Sequence, residues 1–162
     1  MFEVDNTRYA VSLAVQLSLL ATDVLCNALT VSLFLSRVAL LMVVIVQVLG
    51  ILASLVVLFL QFFNTFAFKA GLLYILLRKF AGTIVFILVY LCFTMAFGIW
   101  NVAVRWDSEG GYGWSGALQA AFVLHKMAAV AHYYLYKRSA LRLGDARYYM
   151  DSPWIWAQLN KR

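Results

Sequence analysis

The sequence of 162 residues carries 65% apolar and only 12% charged residues, with a single proline and a net charge of +6 at pH 7. Soluble domains carry about a quarter charged residues, so this composition excludes a soluble domain and indicates an integral membrane protein. The positive charge does not point to nucleic acid, because no soluble region is present to carry an element that reads a groove.

Four apolar segments follow one another along the chain, at residues 9–36, 38–68, 80–104 and 112–136. The second holds 31 residues without a charge and the third holds 25, and either exceeds the ~20 residues that a helix needs to cross a bilayer. Barrel strands would instead alternate over about ten residues between turns. The sequence therefore predicts an all-α fold, in which the whole chain forms one integral membrane four-helix bundle.

Basic residues predict the orientation of the bundle. With four spans, both chain ends and the connection at residues 69–79 share one side, and Arg37 and Arg105 lie on the other. The first side holds Arg8, Lys69, Arg78, Lys79, Lys137, Arg138, Arg142, Arg147, Lys161 and Arg162. Positive residues favour the cytoplasmic face, so both termini are predicted to be cytosolic. The connection is apolar between its basic ends and is expected to lie along the membrane surface.

The cytosolic tail, residues 137–162, is basic and aromatic. Its string "DSPW", residues 151–154, offers a helix cap followed by proline at the first helical position. This pattern predicts a short helix that carries Trp154 and Trp156. Tryptophan is enriched at the headgroup level of membranes, so both are expected to anchor the helix at the interface. Docking of this helix to a partner is the alternative.

Lys126 lies near the centre of the fourth segment, ~16 to 18 Å from either end. An unpaired lysine at this depth costs ~2.5 to 3.5 kcal/mol, so it is expected to face the bundle and find a partner. Asp23 lies at a similar depth in the first segment, which runs the other way. We expect Asp23 and Lys126 to form a structural ion pair, with His125 and His132 as core or boundary residues.

Each segment carries polar side chains at three-, four- or seven-residue spacing, which places them on one helix face. The stripes consist of Gln16, Asp23, Asn27 and Thr30; Gln47, Ser54 and Gln61; Tyr90, Thr94, Gly98 and Asn101; and Gln119, Lys126 and Tyr133. Stripes that turn inward form a hydrogen-bonded bundle core. Polar contacts inside the bundle are therefore predicted for Gln16, Asn27, Gln47, Gln61, Asn101 and Gln119.

One string resembles a catalytic motif. "GWSG", residues 113–116, matches the pattern around the nucleophile of rhomboid-type intramembrane proteases. His125 lies on the same helix ~15 Å from Ser115, whereas base catalysis needs ~3 Å. We therefore predict that Ser115 caps the helix and that the chain has no catalytic residue. His125 and His132 are spaced too far apart to chelate one ion as an i, i+4 pair does, so no metal and no cofactor is predicted.

Several longer strings resemble the transmembrane protein 138 family. They are "FFNTFAFKAGL" (62–72), "KFAGTI" (79–84), "RW" (105–106), "AAV" (128–130) and "YKRSALRLGDARYYMDSPW" (136–154). "RLGD" after "YKR" is the most specific, while the first sixty residues match mainly in hydropathy and in an acidic residue in the first span. The resemblance implies that arginine can replace Lys126, which keeps a cation at that depth.

The resemblance implies a non-enzymatic multi-pass protein required for assembly of the primary cilium. Family members are associated with the transition zone and with vesicle or vacuole membranes, and their defects are linked to ciliopathy of the Joubert type. The expected function is a scaffold or trafficking factor, with membrane lipid and other ciliary membrane proteins as partners and oligomerisation left open. The alternative is an oligomeric ion or proton channel or carrier lined by Asp23, His125, Lys126 and His132.

Overall fold

The structure is a computed structural model that describes residues 6–30, 36–64, 73–107 and 115–143. These residues form four helices: α1 (Asn6–Leu29), α2 (Arg37–Asn64), α3 (Leu73–Asp107) and α4 (Gly116–Leu143). The prediction of an all-α fold is confirmed. Three helices contain stretches long and apolar enough to cross a membrane, at Ala10–Leu29, Arg37–Phe63 and Arg78–Trp106. α4 is less apolar because it carries His125, Lys126, His132 and a basic last turn.

The helices extend beyond two of the predicted boundaries. α3 begins at Leu73, inside the segment that the sequence predicted as a connection, because "LLYILLRK" is made of residues with good helix propensity and holds neither glycine nor proline. α4 continues past the predicted end at residue 136 to Leu143. The predicted tail helix with Trp154 and Trp156 lies outside the described residues.

Serine side chains begin the second and fourth helices. The Ser36 hydroxyl accepts a hydrogen bond from the backbone N–H of Ala39 at 3.2 Å. Ser115 accepts one from Leu118 at 3.3 Å in the same way. Such N-caps satisfy an N–H group that the first turn of a helix leaves without a partner. The prediction that Ser115 is a helix cap is confirmed.

Helices adjacent in sequence pack in antiparallel directions. On α3 and α4, the hydroxyls of Thr83 and Ser139 lie 2.7 Å apart. Thr94 pairs with His125 at 3.1 Å, so a step forward along α3 is a step backward along α4. α1 and α2 are antiparallel too, because residues 16 and 23 pair with 61 and 47. The chain thus runs up and down through one bundle.

The interior of the bundle combines an apolar core, which includes Ile51, Leu58 and Phe62, with many polar residues, and large apolar residues cover its outside. Among the residues that the structure describes, fourteen polar or charged side chains are buried, and residues such as Ile99, Met127 and Val130 are about two-thirds exposed. The apolar outside suits a lipid environment, in which apolar helix faces gain little by leaving the lipid. One end of the bundle, called the basic end below, carries exposed cations: Arg78, Lys79, Lys137, Arg138 and Arg142.

Gly98 on α3 gives α2 room to approach. A Cβ atom at this position would lie 2.6 Å from Cγ1 of Val44, which is far inside van der Waals contact. Val44 is buried, and its branched side chain has few rotamers with which to move away. Gly50 on α2 differs, because a Cβ there would meet nothing within 4 Å.

Gly98→Ala is therefore expected to destabilise the bundle by about 1 to 3 kcal/mol, the usual cost of overpacking a tight interface. The free energy of unfolding of the purified chain in bicelles, measured by steric trapping, checks this. Gly50→Ala is the matched control and is expected to be neutral or slightly stabilising, since alanine favours a helix over glycine. The double variant Gly98→Ala/Val44→Ala should regain much of the loss. Equal stability of both single variants would contradict the close approach.

Candidate functional site: a polar cluster at mid-membrane

Asp23 on α1 is an acidic residue buried in the bundle, and it is only 4% exposed. Its carboxylate accepts hydrogen bonds from two other helices: Gln47 on α2 donates to Oδ1 at 2.8 Å, and the Tyr90 hydroxyl on α3 donates to Oδ2 at 3.0 Å. Asn27 on the next turn of α1 adds a longer contact of 3.5 Å. The protein therefore supplies the donors that water would supply outside a membrane.

Asn27 connects this carboxylate to α3 and α4. Its amide nitrogen lies 3.1 Å from the Tyr90 hydroxyl and 2.8 Å from the Tyr133 hydroxyl, in addition to the contact with Asp23. An amide nitrogen has only two hydrogens to donate, so it serves two of these three oxygens at a time. Asn27 thereby holds side chains of α1, α3 and α4 together.

The ammonium of Lys126 binds Asn27 instead of Asp23. Its Nζ donates to the Asn27 backbone carbonyl at 2.6 Å and to Oδ1 at 2.9 Å, and lies 5.0 Å from the centre of the Phe122 ring. The sequence predicted a direct ion pair of Lys126 with Asp23; the structure places Asn27 between the two. The cation and the carboxylate belong to one network but do not touch.

The end of α1 explains why Lys126 binds Asn27 and not Asp23. Asn27 lies in the last turn of α1, and the last four carbonyls of a helix have no partner within it. The negative end of the helix dipole also favours a cation at this point. A lysine on the neighbouring edge of α4 therefore meets a backbone acceptor before it reaches the carboxylate. We call the group Asp23, Asn27, Gln47, Tyr90, Lys126 and Tyr133 the Asp23 cluster.

His125 and His132 are core residues, only 2% and 1% exposed. Tyr90 stacks on both rings, with centroid distances of 5.5 and 4.6 Å, and Phe97 stacks on His125 at 4.9 Å. Thr94 meets Nε2 of His125, whereas Nδ1 of either histidine has no hydrogen-bond partner among the described residues. Their packing is thus mainly aromatic.

A second polar layer lies towards the basic end. Gln16 on α1 donates to Oε1 of Gln61 on α2 at 2.9 Å, and the Tyr136 hydroxyl on α4 donates to the backbone carbonyl of Ser54 at 3.0 Å. The pair of Thr83 and Ser139 belongs to the same half of the bundle. Gln16, Gln47 and Gln61 are thus buried in contacts between helices.

Two further predicted contacts have different outcomes. Asn101 is buried on α3, whereas Gln119 on α4 is exposed, so the prediction for Gln119 is wrong. The inward positions of α4 include Leu118, His125 and His132. Gln119 lies one residue after the first of these, about 100° around the helix, and close to the beginning of α4. Lys126 shares this offset but reaches inward through its long side chain.

The chemistry of the Asp23 cluster is that of a structural network. Within the described ranges no group of three or more histidine, cysteine, aspartate or glutamate side chains lies close enough to hold a metal ion. The polar atoms of the cluster bond to one another across all four helices. The sequence had placed Tyr90 and Tyr133 on polar stripes, yet it gave no sign that their hydroxyls meet Asp23 and Asn27.

Comparisons with known proteins reveal relatives over nearly the whole chain. The family model described as Transmembrane protein 138 matches residues 40–158. The mouse (Mus musculus) protein of that name is 41% identical over 147 residues, which are 91% of either chain. The zebrafish (Danio rerio) protein is 36% identical over 155 residues, 96% of this chain and 94% of the relative. The frog (Xenopus tropicalis) protein is 39% identical over 147 residues, 91% of either chain. No solved structure matches.

Tyr90→Phe removes the hydroxyl that donates to Asp23 and accepts from Asn27, but keeps the ring that stacks on the two histidines. We expect a loss of about 1 to 2 kcal/mol in the free energy of unfolding, as for two hydrogen bonds between membrane helices, one of them to a carboxylate. Tyr134→Phe is the control, because Tyr134 is 62% exposed on the lipid-facing side of α4, and it should change nothing. An equal loss in both variants would argue against the network.

Asn27→Leu is expected to cost more than Tyr90→Phe. The change removes the two hydrogen bonds that the amide nitrogen donates at a time and the contact of Oδ1 with Lys126, and these three contacts at roughly 0.6 kcal/mol each total about 2 kcal/mol. The same unfolding measurement tests this, with Ala28→Leu on the exposed side of α1 as a near-neutral control. If Lys126 paired directly with Asp23, Asn27→Leu would instead be among the milder variants.

Proposed function

The chain belongs to the transmembrane protein 138 family, and we propose on that basis that it serves cilium assembly as a non-enzymatic scaffold or trafficking factor for ciliary membrane proteins. The proposal depends on the family match, which covers more than nine-tenths of the chain in each relative. The ciliary part of the proposal rests on the resemblance of strings such as residues 136–154 to this family, whose implied role is in the cilium.

The packing of the bundle supports a binding role. The polar side chains of the Asp23 cluster hold the helices in register, so they are already engaged inside the protein. The outer faces of all four helices carry exposed apolar side chains such as Val11, Leu49, Ile99 and Val130. A protein of this design meets other membrane proteins through its lipid-facing helix surfaces.

The proposed orientation places the basic end in the cytosol. Exposed cations such as Arg78, Lys137 and Arg142 lie at this end, and cytoplasmic segments of membrane proteins carry an excess of lysine and arginine. Both chain termini then face the cytosol, with the protein in the membrane of the primary cilium or its transition zone and in vesicle or vacuole membranes. A cytosolic tail is accessible to trafficking partners.

The channel or carrier alternative receives no support from the packing. Asp23 and Lys126 lie within a network of contacts between helices, and the rings of His125 and His132 stack on Tyr90. These four side chains thus serve the packing of the bundle. Buried polar groups in a membrane protein need partners whether or not an ion passes.

Rescue and proximity labelling test the proposed function together. Ciliated cells that lack the protein should form fewer cilia, and the full chain with a biotin ligase at its C-terminus should restore them and label ciliary membrane proteins. The control is the same ligase on an unrelated four-span protein of the endoplasmic reticulum. Ser115→Ala should rescue fully, because the serine only caps α4.

Three results would overturn the proposal. Normal cilia in cells that lack the protein would remove the ciliary role. Rescue without enrichment of any ciliary membrane protein over the control would remove the scaffold or trafficking role. Loss of rescue by Ser115→Ala, at unchanged protein level, would speak for a hydrolase.

A further inference from the structure

The seam between α1 and α4 contains an apolar cavity of about 90 Å³ towards the basic end. Its lining residues are Leu13, Gln16, Leu17, Leu20, Tyr136, Lys137, Ala140 and Leu141. A cavity with apolar walls stays free of water. A short length of hydrocarbon chain fits such a space.

The cavity is open to the surrounding membrane. Leu17 and Leu141 at its rim are about half exposed. On its inner side, Tyr136 turns into the bundle to bond Ser54, and Ala140 is too small to fill the space that this leaves. The seam is held together nearer mid-membrane by Lys126 and Asn27. The cavity therefore forms a groove between α1 and α4, which begins where the contact between Lys126 and Asn27 ends.

Lys137 supplies a positive charge at the cavity. It is exposed and has no acidic partner among the described residues. Lys137 is eleven residues beyond Lys126 along α4, ~16 Å, which is about half the ~30 Å thickness of the hydrocarbon core. Because Lys126 lies near the centre, the ammonium of Lys137 lies at headgroup depth, where Arg138 and Arg142 add further charge.

We propose that this groove binds one anionic phospholipid, whose acyl chain lies between α1 and α4 and whose net negative headgroup meets Lys137. The apolar walls select a hydrocarbon chain, and the cation beside them selects a negative headgroup. A basic residue at the end of a hydrophobic groove complements both parts of such a lipid. This inference is independent of the ciliary role and requires only that the basic end lies at a membrane surface.

Photocrosslinking tests the site. The full chain is placed in phosphatidylcholine nanodiscs that contain a trace of lipid with a diazirine in the acyl chain, carried either on phosphatidylserine or on phosphatidylcholine. Crosslinked peptides are then mapped by mass spectrometry. We expect the serine lipid to label residues 13–20 and 136–141 several-fold more than the choline lipid does.

Two matched pairs of variants separate the headgroup from the groove. Lys137→Gln should remove most of the several-fold preference for the serine lipid, because it removes the cation beside the cavity, whereas Arg142→Gln, outside the cavity lining, should lower it much less. Leu17→Phe should reduce labelling of the groove by both lipids. Leu25→Phe, on an exposed position of the same helix away from the cavity, should not.

Each contrary result overturns the proposal. Equal labelling by both lipids would mean that bulk lipid fills the seam. Equal effects of Lys137→Gln and Arg142→Gln would mean general attraction to a basic surface. Crosslinks between two copies of the chain at the groove, in place of lipid, would assign the seam to a dimer. Unfolding measurements on each variant show whether a loss of labelling reflects the groove or the fold.

Discussion

The buried carboxylate of Asp23 is the constraint around which the bundle is organised. A carboxylate inside a membrane cannot draw donors from water, so the neighbouring helices must provide them. Gln47 and Tyr90 do so directly, and Asn27 extends the network to Tyr133 and Lys126. A slip of one helix along its neighbour would break several of these contacts together. The network therefore fixes the register of four helices that apolar packing alone would leave weakly defined.

The lipid environment explains why polar contacts between the helices matter in this bundle. Apolar side chains gain little by moving from lipid to a protein core, so specificity in a membrane bundle comes from close approach and from hydrogen bonds. Gly98 allows the first by leaving room for Val44, and the layers at Asp23 and at Gln16 with Gln61 provide the second. The same reasoning accounts for the apolar exterior, which in a soluble protein would promote aggregation.

The hydropathy pattern is sufficient to predict the four helices, because a membrane helix must be apolar over most of its length. It also predicts the inward faces of α1 and α2, where Gln16, Gln47 and Gln61 are buried. It fails on α4. Seven-residue spacing describes Leu118, His125 and His132 as well as it describes Gln119, Lys126 and Tyr133, and the two sets are only about 100° apart. Hydropathy predicts that the second, more polar set faces the inside of the bundle. The packing of the histidine rings against Tyr90 instead turns the first set inward.

The partner of Lys126 shows a second limit of sequence reasoning. Opposite charge at equal depth predicts Asp23 as the partner of Lys126. The actual partner depends on where α1 ends, because a helix end leaves backbone carbonyls without partners. Composition does not show where those carbonyls lie. The contact with Asn27 that results ties α4 to the end of α1. Further towards the basic end, Gln16 and Tyr136 bond mainly to α2, and leucine and alanine side chains line the rest of the seam between α1 and α4. Hydrogen bonds thus close the seam between α1 and α4 where a charge is buried. The seam stays open where apolar side chains line it, so a lipid can enter there without breaking the hydrogen-bond network.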